Sequence, residues 1–233
     1  MIIKIKELGL PLDEVVYCDI RFDEHSLSGE MPLMAKWIPY AKQRLKELFN
    51  IEVKHITGIP FIEQFYKVKQ KGNHIGDRYG FPYVIDAWCN SRLKIEPIKK
   101  YLKSLNDDYI EYVGIAYDEP KRYERLKDNP KKKCLLYELK ITEAEAMEIC
   151  KKYDLVSPIY QSSFRSGCWF CVKQSIEQLR NLYINHSELW QKLINLEKDS
   201  HNTFKPDLTL KELETRFKNE KKQLSIFDFI ESE

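Results

Sequence analysis

Two cysteines in the second half of the chain have the spacing of a metal-binding or redox pair. They lie in the run Gly167-Cys168-Trp169-Phe170-Cys171, a C-x-x-C sequence. This spacing places two thiolates on one tight turn, where both sulfurs can bind one tetrahedral metal ion or one edge of an iron–sulfur cluster. Redox dithiols with the same spacing sit at a helix start directly after a strand, whereas a loop precedes this pair. The pattern therefore favours a metal or cluster site, with two ordinary buried thiols as the alternative.

A metal site built on this pair needs two more ligands, and cysteines elsewhere in the chain are the candidates. Cys89 lies in the run from Trp88 to Lys94, and Cys150 ends a predicted helix that leads toward the pair. Cys18 falls on a predicted buried strand, and Cys134 follows three lysines on a predicted surface. We interpret these last two as ordinary thiols, since free cysteine behaves as a small hydrophobic residue.

Two segments carry charged residues suited to an anionic ligand. Arg92 and Lys94 follow Cys89 within one helical turn, so a cluster and a sulfate or phosphate group could be held by neighbouring residues. The segment 114–122 follows a predicted strand, which is where ligands bind in open α/β sheets. Ordinary solvated surface is the alternative for both. The residues predicted to line a nucleotide or phosphate pocket are Asp19, Arg92, Lys94, Asp118, Glu119, Lys121 and Arg122.

The elements that would position these residues begin with a strand, a helix and a strand. Val15 to Ile20 is a short apolar run that ends near Asp19, as expected of a buried strand with a polar residue at its carboxyl end. Residues 33–49 have one apolar helical face, with Pro32 suited to the first turn, and Ile51 to Thr57 is the next strand. This order predicts a right-handed βαβ unit with a parallel sheet.

The rest of the chain adds one further strand and several helices. Tyr109 to Ala116 is predicted as a third strand, and Thr142 with Glu145 forms a capping-box pattern at the start of a helix. We therefore expect an α/β core over residues 1–160, a segment from 161 to 222 with the C-x-x-C pair and C-terminal helices, and an apolar tail over 223–233. The predicted C-terminal helices cover residues 175–183, 187–198 and 210–222.

Composition limits the setting in which the protein works. The 38 Lys and Arg residues nearly balance the 36 Asp and Glu residues, so the net charge does not direct the whole molecule toward nucleic acid or membrane. The sequence contains neither a signal-peptide pattern nor an apolar run long enough to span a bilayer. A cytoplasmic protein without a membrane partner is expected, and in a reducing compartment its cysteines are thiols or metal ligands.

Four segments together resemble the phosphoadenosine phosphosulfate (PAPS) reductase-like proteins of the adenine nucleotide alpha-hydrolase superfamily. They are residues 10–16, 88–97, 114–122 and 167–171, of which the second and fourth are the more specific. The resemblance implies a Rossmann-like parallel-sheet core with a helical C-terminal extension, and a [4Fe–4S] cluster held by Cys89, Cys168 and Cys171. Family members have adjacent cysteines at the first position, where this chain has Trp88. Cys150 is our candidate for the fourth ligand, and zinc is the alternative to the cluster.

The chain also departs from the family at places that matter for activity. It has Ala116 where the family often has an arginine, it has no Ser-Gly-Gly-x-Asp-Ser phosphate loop, and no cysteine follows Cys171. The last difference argues against thioredoxin-coupled reduction of PAPS, which needs a C-terminal nucleophilic cysteine. Without the loop, ATP is expected to bind weakly. The resemblance implies an adenine nucleotide partner such as ATP or PAPS, with sulfur transfer or adenylation; the alternative is a non-catalytic binding module.

The end of the chain contains a short apolar run that resembles a known peptide motif. Gln223-Leu224-Ser225-Ile226-Phe227 is similar to the Gln-Leu-Ser-Leu-Phe peptide with which bacterial replication and repair proteins bind the DNA polymerase sliding clamp. In that interpretation Gln223 hydrogen-bonds at the clamp groove, while Leu224, Ile226 and Phe227 fill apolar pockets. Docking of the tail on the protein's own core is the alternative.

Overall fold

The protein is a mixed α/β chain with many helices and short strands. The computed structural model describes residues 1–72, 74–85, 87–161 and 166–230, with the backbone alone for 221–230. Its elements in chain order are α1 (Ile2–Glu7), β1 (Val15–Asp19), α2 (Pro32–Phe49), β2 (Val53–Thr57), α3 (Phe61–Tyr66), α4 (Trp88–Asn90), a π-helical turn (Ser91–Ile95), α5 (Glu96–Ser104), β3 (Glu111–Tyr112), α6 (Pro120–Tyr123), β4 (Lys132–Lys133), α7 (Leu135–Glu138), α8 (Glu143–Lys152), a 3-10 turn (Pro158–Gln161), α9 (Ile176–Asn185), α10 (Ser187–Asp199) and α11 (Leu210–Ile230).

The first strand, helix and strand form where the sequence predicts them. β1 and β2 pair in a two-stranded sheet, and α2 is the connection between them. Pro32 stands at the first position of α2, where its missing amide costs nothing. The capping box of α8 is also present, because the amide of Glu145 donates to Oγ1 of Thr142 and the amide of Thr142 donates to the Glu145 carboxylate. The coarse α/β prediction is thus confirmed.

The third predicted strand is much shorter than the apolar run suggests. β3 covers Glu111–Tyr112 and pairs in parallel with β4, in a separate two-stranded sheet. The amide of Ile115 turns back onto the carbonyl oxygen of Val113 at 2.9 Å, and this tight turn takes the chain out of the strand. Apolar composition therefore overestimated the length of this strand.

The chain divides into two compact units, each built from separate stretches of sequence. The first contains Met1–Tyr17, Pro32–Ile56 and residues 99–161. The second contains Cys18–Met31, Thr57–Ile98 and residues 166–230. Each unit therefore gathers residues that are distant in the sequence.

The second unit has a core rich in aromatic side chains. Phe61, Phe65, Phe81 and Trp169 are fully buried there, together with leucines of α9 and α10. Phe61 lies 4.2 Å from Phe170 between ring centroids, and the edge of Phe65 meets Phe81 at 5.2 Å. Buried aromatic rings contribute large apolar areas, so they fix the segments that carry them.

Candidate functional site

The C-x-x-C pair lies on the predicted tight turn, just before α9. The amide of Cys171 donates to the carbonyl oxygen of Cys168 at 3.0 Å, and the amide of Gln174 donates to the carbonyl oxygen of Cys171 at 3.1 Å. α9 then begins with its own capping box, formed by Ser175 and Gln178. Both thiols are therefore presented by a short segment with a defined backbone.

Trp169, between the two cysteines, ties this turn to the loop that follows β1. Its side chain is fully buried, and its ring packs against Phe22 at 4.5 Å between centroids. Its amide donates to the carbonyl oxygen of Gly29 and its indole nitrogen to that of Ser28, both at 2.9 Å. Because the backbone and the side chain are both anchored, the thiols are held at a fixed place beside this loop.

Two further polar side chains hold the segment that follows the pair. The buried amide of Gln174 donates to the carbonyl oxygen of Trp169 at 2.6 Å. The ammonium group of Lys205 donates to the carbonyl oxygen of Val172 at 2.8 Å and also hydrogen-bonds the carbonyl oxygen of Gln174. These bonds satisfy backbone acceptors that would otherwise be costly inside the protein.

The three cysteines predicted as ligands all belong to the second unit, and their thiols interact electrostatically. Burial raises the pKa of Cys168 well above its ordinary range, and the charges of Glu30, Cys171 and Cys89 raise this pKa further. Burial also raises the pKa of Cys89 to about 11, with a contribution from Cys171. The thiolates of Cys89 and Cys168 are thus destabilised by burial and by their neighbours, and a bound cation would relieve both effects.

These side chains do not form a finished ion site as they stand. Within the described part of the chain, no group of three or more His, Cys, Asp or Glu side chains is arranged to hold a metal ion. Cys150, the fourth predicted ligand, lies in the first unit at the end of α8, where its thiol interacts with the amino group of Met1. Its role as a ligand stays a prediction.

Asp19 and Lys94, two of the predicted pocket residues, lie close to Cys18. The Cys18 thiol donates to the carbonyl oxygen of Leu93 at 3.6 Å, and its pKa is raised by burial, lowered by Lys94 and raised by Asp19. Lys94 also lowers the pKa of Cys168. The carboxyl end of β1, the π-helical turn and the C-x-x-C pair therefore belong to one electrostatic neighbourhood.

The π-helical turn is the local irregularity that carries both predicted basic residues after Cys89. Arg92 lies on it with an exposed side chain that pairs with Glu96 at 2.7 Å, and Lys94 is exposed as well. The segment packs closely against Gly58, because a Cβ atom at that position would lie 2.6 Å from the Cγ atom of Pro97. Short π-helical turns inside helices are frequent at functional sites, which makes this turn a candidate anion site.

The remaining predicted pocket residues lie in the first unit, and three of them have local partners there. The carboxylate of Asp118 accepts from the amide of Glu143 at 3.1 Å, which places it at the start of α8. Glu119 accepts from the amide of Ala116 and pairs with Arg122 at 2.5 Å. Lys121 is exposed on α6. These contacts account for the charged residues at this turn by local structure.

Cys134 corrects one detail of the sequence interpretation. The three lysines before it predicted a surface position, but its side chain is only 3% exposed. The next residues, Leu135 and Leu136, are buried too, and they draw the start of α7 into the first unit. Its interpretation as an ordinary thiol is unaffected, because burial raises its pKa.

The sequence did not point to three residues that each have one buried polar atom without a hydrogen-bond partner. In the described part of the chain these atoms are Nε of Arg21, Nε1 of Trp88 and Oε1 of Gln174. All three belong to the second unit, and Trp88 and Gln174 flank the cysteines in sequence. Buried polar atoms are almost always hydrogen-bonded, so each of these three exceptions is a place where a water molecule or a ligand could supply the partner.

Comparisons with known proteins give two distant relatives. No family model matches the chain, and no solved structure matches it significantly. The chain is 30% identical over 130 residues to an uncharacterised nin region protein of Escherichia phage lambda, covering 53% of this chain and 39% of the relative. It is 24% identical over 207 residues to an uncharacterised protein of Methanocaldococcus jannaschii, covering 84% of this chain and 38% of the relative. The chain thus spans about two fifths of the length of these relatives, whose names state no activity.

The predicted clamp-binding residues fall on the last part of α11. This helix continues to Ile230, beyond the predicted end near Lys222, and no glycine or proline interrupts it. The side chains of Gln223, Leu224, Ile226 and Phe227 lie outside the described residues. Within the described part of the chain, no helix combines the length and the apolar composition needed to cross a bilayer.

Proposed function

We propose that this chain is a PAPS reductase-like protein in which Cys89, Cys168 and Cys171 hold a [4Fe–4S] cluster beside a site for an adenine nucleotide or sulfonucleotide. The observation that carries the proposal is that Cys89, far from the C-x-x-C pair in sequence, lies in the same compact unit as the pair, with interacting thiols. Soft thiolate donors are the ligands that iron–sulfur clusters and zinc prefer.

The chemistry of the donor set fits a cationic centre. Burial raises the pKa values of the Cys89 and Cys168 thiols, so these two remain protonated until a metal displaces the protons. Once bound, a cluster supplies electron transfer or an iron site that polarises a substrate atom.

The nucleotide or sulfonucleotide would lie at the carboxyl end of β1. Asp19 stands at this strand end, and open α/β sheets bind ligands there. Lys94 provides a positive charge that acts on both Cys18 and Cys168, so a sulfate or phosphate group held by Lys94 would lie next to the proposed cluster. Arg92 can add bidentate contacts from the same π-helical turn once it leaves Glu96. This proximity favours transfer of sulfur or an adenylate group as the reaction class.

Metal analysis of cysteine variants tests the cluster. Protein purified without oxygen is expected to be brown, with a broad absorbance near ~400 nm and both iron and acid-labile sulfide. Cys168→Ser and Cys171→Ser are expected to abolish the iron, whereas Cys134→Ser, at a buried position outside the proposed ligand set, retains it. Unchanged iron in both C-x-x-C variants contradicts the proposal, and stoichiometric zinc without iron selects a structural zinc site instead.

Binding of nucleotides tests the second half of the proposal. Calorimetry with ATP and with PAPS is expected to show weaker binding for Lys94→Ala than for the wild type, because one charge contact to the anion is lost. Lys100→Ala removes an exposed lysine from the next helix and serves as the control. Equal affinities for the two variants would exclude Lys94 from the site.

A further inference from the structure

Glu30 lies directly opposite Cys168. The two residues form an isolated antiparallel bridge between the loop after β1 and the C-x-x-C turn. Residues directly opposite each other in an antiparallel pair point their side chains to the same face, with their Cβ atoms about 5 Å apart. The carboxylate of Glu30 and the thiol of Cys168 therefore share one face of this bridge.

The hydrogen bonds around this bridge bring the two side chains close. The amide of Trp169 bonds the carbonyl oxygen of Gly29, one residue beyond the pair on each strand. A bridge flanked in this way is a non-hydrogen-bonded pair, the kind in which opposite side chains approach each other most closely. The backbone on both sides is fixed by the buried Trp169 side chain, so the approach does not depend on a loose loop.

The electrostatics agree with this geometry. Among the charges that raise the pKa of Cys168, Glu30 has the largest effect, ahead of Cys171 and Cys89. This order agrees with a close approach of the Glu30 and Cys168 side chains across the bridge.

The two other positions that bear on a fourth ligand are residue 88, where the family has a cysteine, and Cys150; both have different surroundings. Trp88 occupies the position next to Cys89, and its indole packs on Phe61 at 5.3 Å between ring centroids. Cys150 belongs to the first unit, where its thiol interacts with the amino group of Met1. Glu30 belongs to the same unit as the three cysteines and contacts the bridge that carries one of them.

We propose that the Glu30 carboxylate is the fourth ligand, giving a centre with three cysteines and one glutamate. This inference rests on the proposed metal centre at Cys89, Cys168 and Cys171. Carboxylate oxygen binds iron and zinc less tightly than thiolate, so the metal atom bound by Glu30 is the one most open to exchange and to a substrate atom. The site thus combines three permanent ligands with one replaceable ligand, next to the charge of Lys94.

Four variants of the whole 233-residue chain test this assignment. Glu30→Gln removes the charge with little change in size, and Glu30→Cys replaces oxygen with sulfur. Glu24→Gln makes the same chemical change at a carboxylate of the same loop whose side chain is 85% exposed, and Cys150→Ser tests the alternative ligand. Each protein is loaded with the iron-57 isotope without oxygen, and its unfolding is recorded in the metal-free state to show that the fold is intact.

Mössbauer spectra and the rate of iron loss to an excess of chelator are the two measurements. We expect the wild type to contain one iron site that differs from the others, and Glu30→Cys to make all sites alike. Iron loss is expected to be about tenfold faster or more in Glu30→Gln, and unchanged in Glu24→Gln and Cys150→Ser. Because Glu30→Cys retains the metal, it remains informative even where Glu30→Gln folds poorly.

The outcomes separate this inference from the proposal on which it rests. A wild-type protein without any metal overturns both. A cluster whose spectrum and iron release are unchanged in both Glu30 variants overturns the assignment of Glu30 alone, and faster release in Cys150→Ser assigns the fourth ligand to Cys150. If the wild type binds zinc instead of iron, the cluster is wrong, and the same comparison of release rates decides whether Glu30 binds the zinc.

Discussion

Gly29 lies where the loop after β1 meets the C-x-x-C turn, and the protein has no room for a side chain there. A Cβ atom at this position would lie 2.4 Å from the carbonyl oxygen of Ile20 and 3.1 Å from the Cζ atom of Phe170. The first contact is with backbone, which cannot move away as a flexible side chain can. Gly29→Ala is therefore expected to push the loop away from the turn.

The cost can be worked out from these contacts. Forcing a methyl group into a packed region costs about 1–3 kcal/mol, and a backbone clash belongs at the upper end of that range. The amide of Gly29 also donates to the Ile20 carbonyl oxygen at 2.7 Å, and weakening that hydrogen bond adds up to about 1 kcal/mol. A loss of about 3 kcal/mol lowers the urea midpoint by about 1.5 M when the m-value is about 2 kcal/mol/M.

Urea unfolding followed by tryptophan fluorescence measures this loss in the unit that carries the site. Trp88, Trp169 and Trp190 belong to the second unit, so fluorescence reports mainly on it. Gly114→Ala is the matched control, because the nearest atom to its Cβ would be 4.0 Å away and its φ is not positive. Gly114 lies in the first unit, so that variant is expected to leave the fluorescence-detected midpoint of the second unit unchanged. A Gly29→Ala midpoint equal to that of the wild type would refute the reasoning.

Three further predictions follow from particular contacts. The indole N–H of Trp88 has no partner among the residues that the structure describes, and we expect it to donate a hydrogen bond to the proposed cluster. Trp88→Phe retains an aromatic ring but removes this N–H, so the reduction potential of the cluster should fall by about 40 mV in a redox titration, equivalent to about 1 kcal/mol. An unchanged potential argues against this contact. Burial and then the Asp199 carboxylate raise the pKa of Tyr66 to about 12. An unfolded tyrosine titrates near pH 10, so the stability that Tyr66 contributes in its protonated form is complete below about pH 10 and is lost between about pH 10 and 12. Tyr66→Phe should therefore reduce the fall of the urea midpoint between these two pH values. A peptide of residues 221–231 should bind a purified bacterial sliding clamp with micromolar affinity and lose it on Phe227→Ala; no binding leaves docking on the protein's own core.

Patterns within a short stretch of sequence predicted local structure well. The apolar face of α2, with Pro32 at its start, and the reciprocal contacts of Thr142 and Glu145 depend on residues a few positions apart. Such contacts form wherever the segment folds, and later packing has little reason to change them. For this reason the first strand, the long helix and the α8 cap all appear within a residue or two of their predicted bounds.

Features that depend on distant residues were not predictable in the same way. Nothing in the residues around Glu30 indicates that it pairs with Cys168, because the bridge depends on the packing of Trp169 against the loop after β1. The π-helical turn at Ser91–Ile95 is likewise a local irregularity in a helix, and the amino-acid composition of the segment does not predict it. The C-x-x-C spacing predicted two thiols of the candidate site and the family resemblance a third, Cys89, but their charged neighbours became visible only in the folded chain.

Trp88 packs against the aromatic core at the position where the resembling family has a cysteine. Its ring stacks on the buried Phe61, which itself packs against Phe170 inside the C-x-x-C turn. A cysteine at this position would be too small to make those contacts, and because Trp88 is partly buried its truncation is expected to cost less than the ~3–5 kcal/mol of a fully buried aromatic side chain. In the proposed centre this position serves packing and supplies no ligand, while Glu30 lies opposite Cys168 across the bridge. Under that proposal, the packing of Trp88 and the position of the Glu30 carboxylate are two parts of one arrangement.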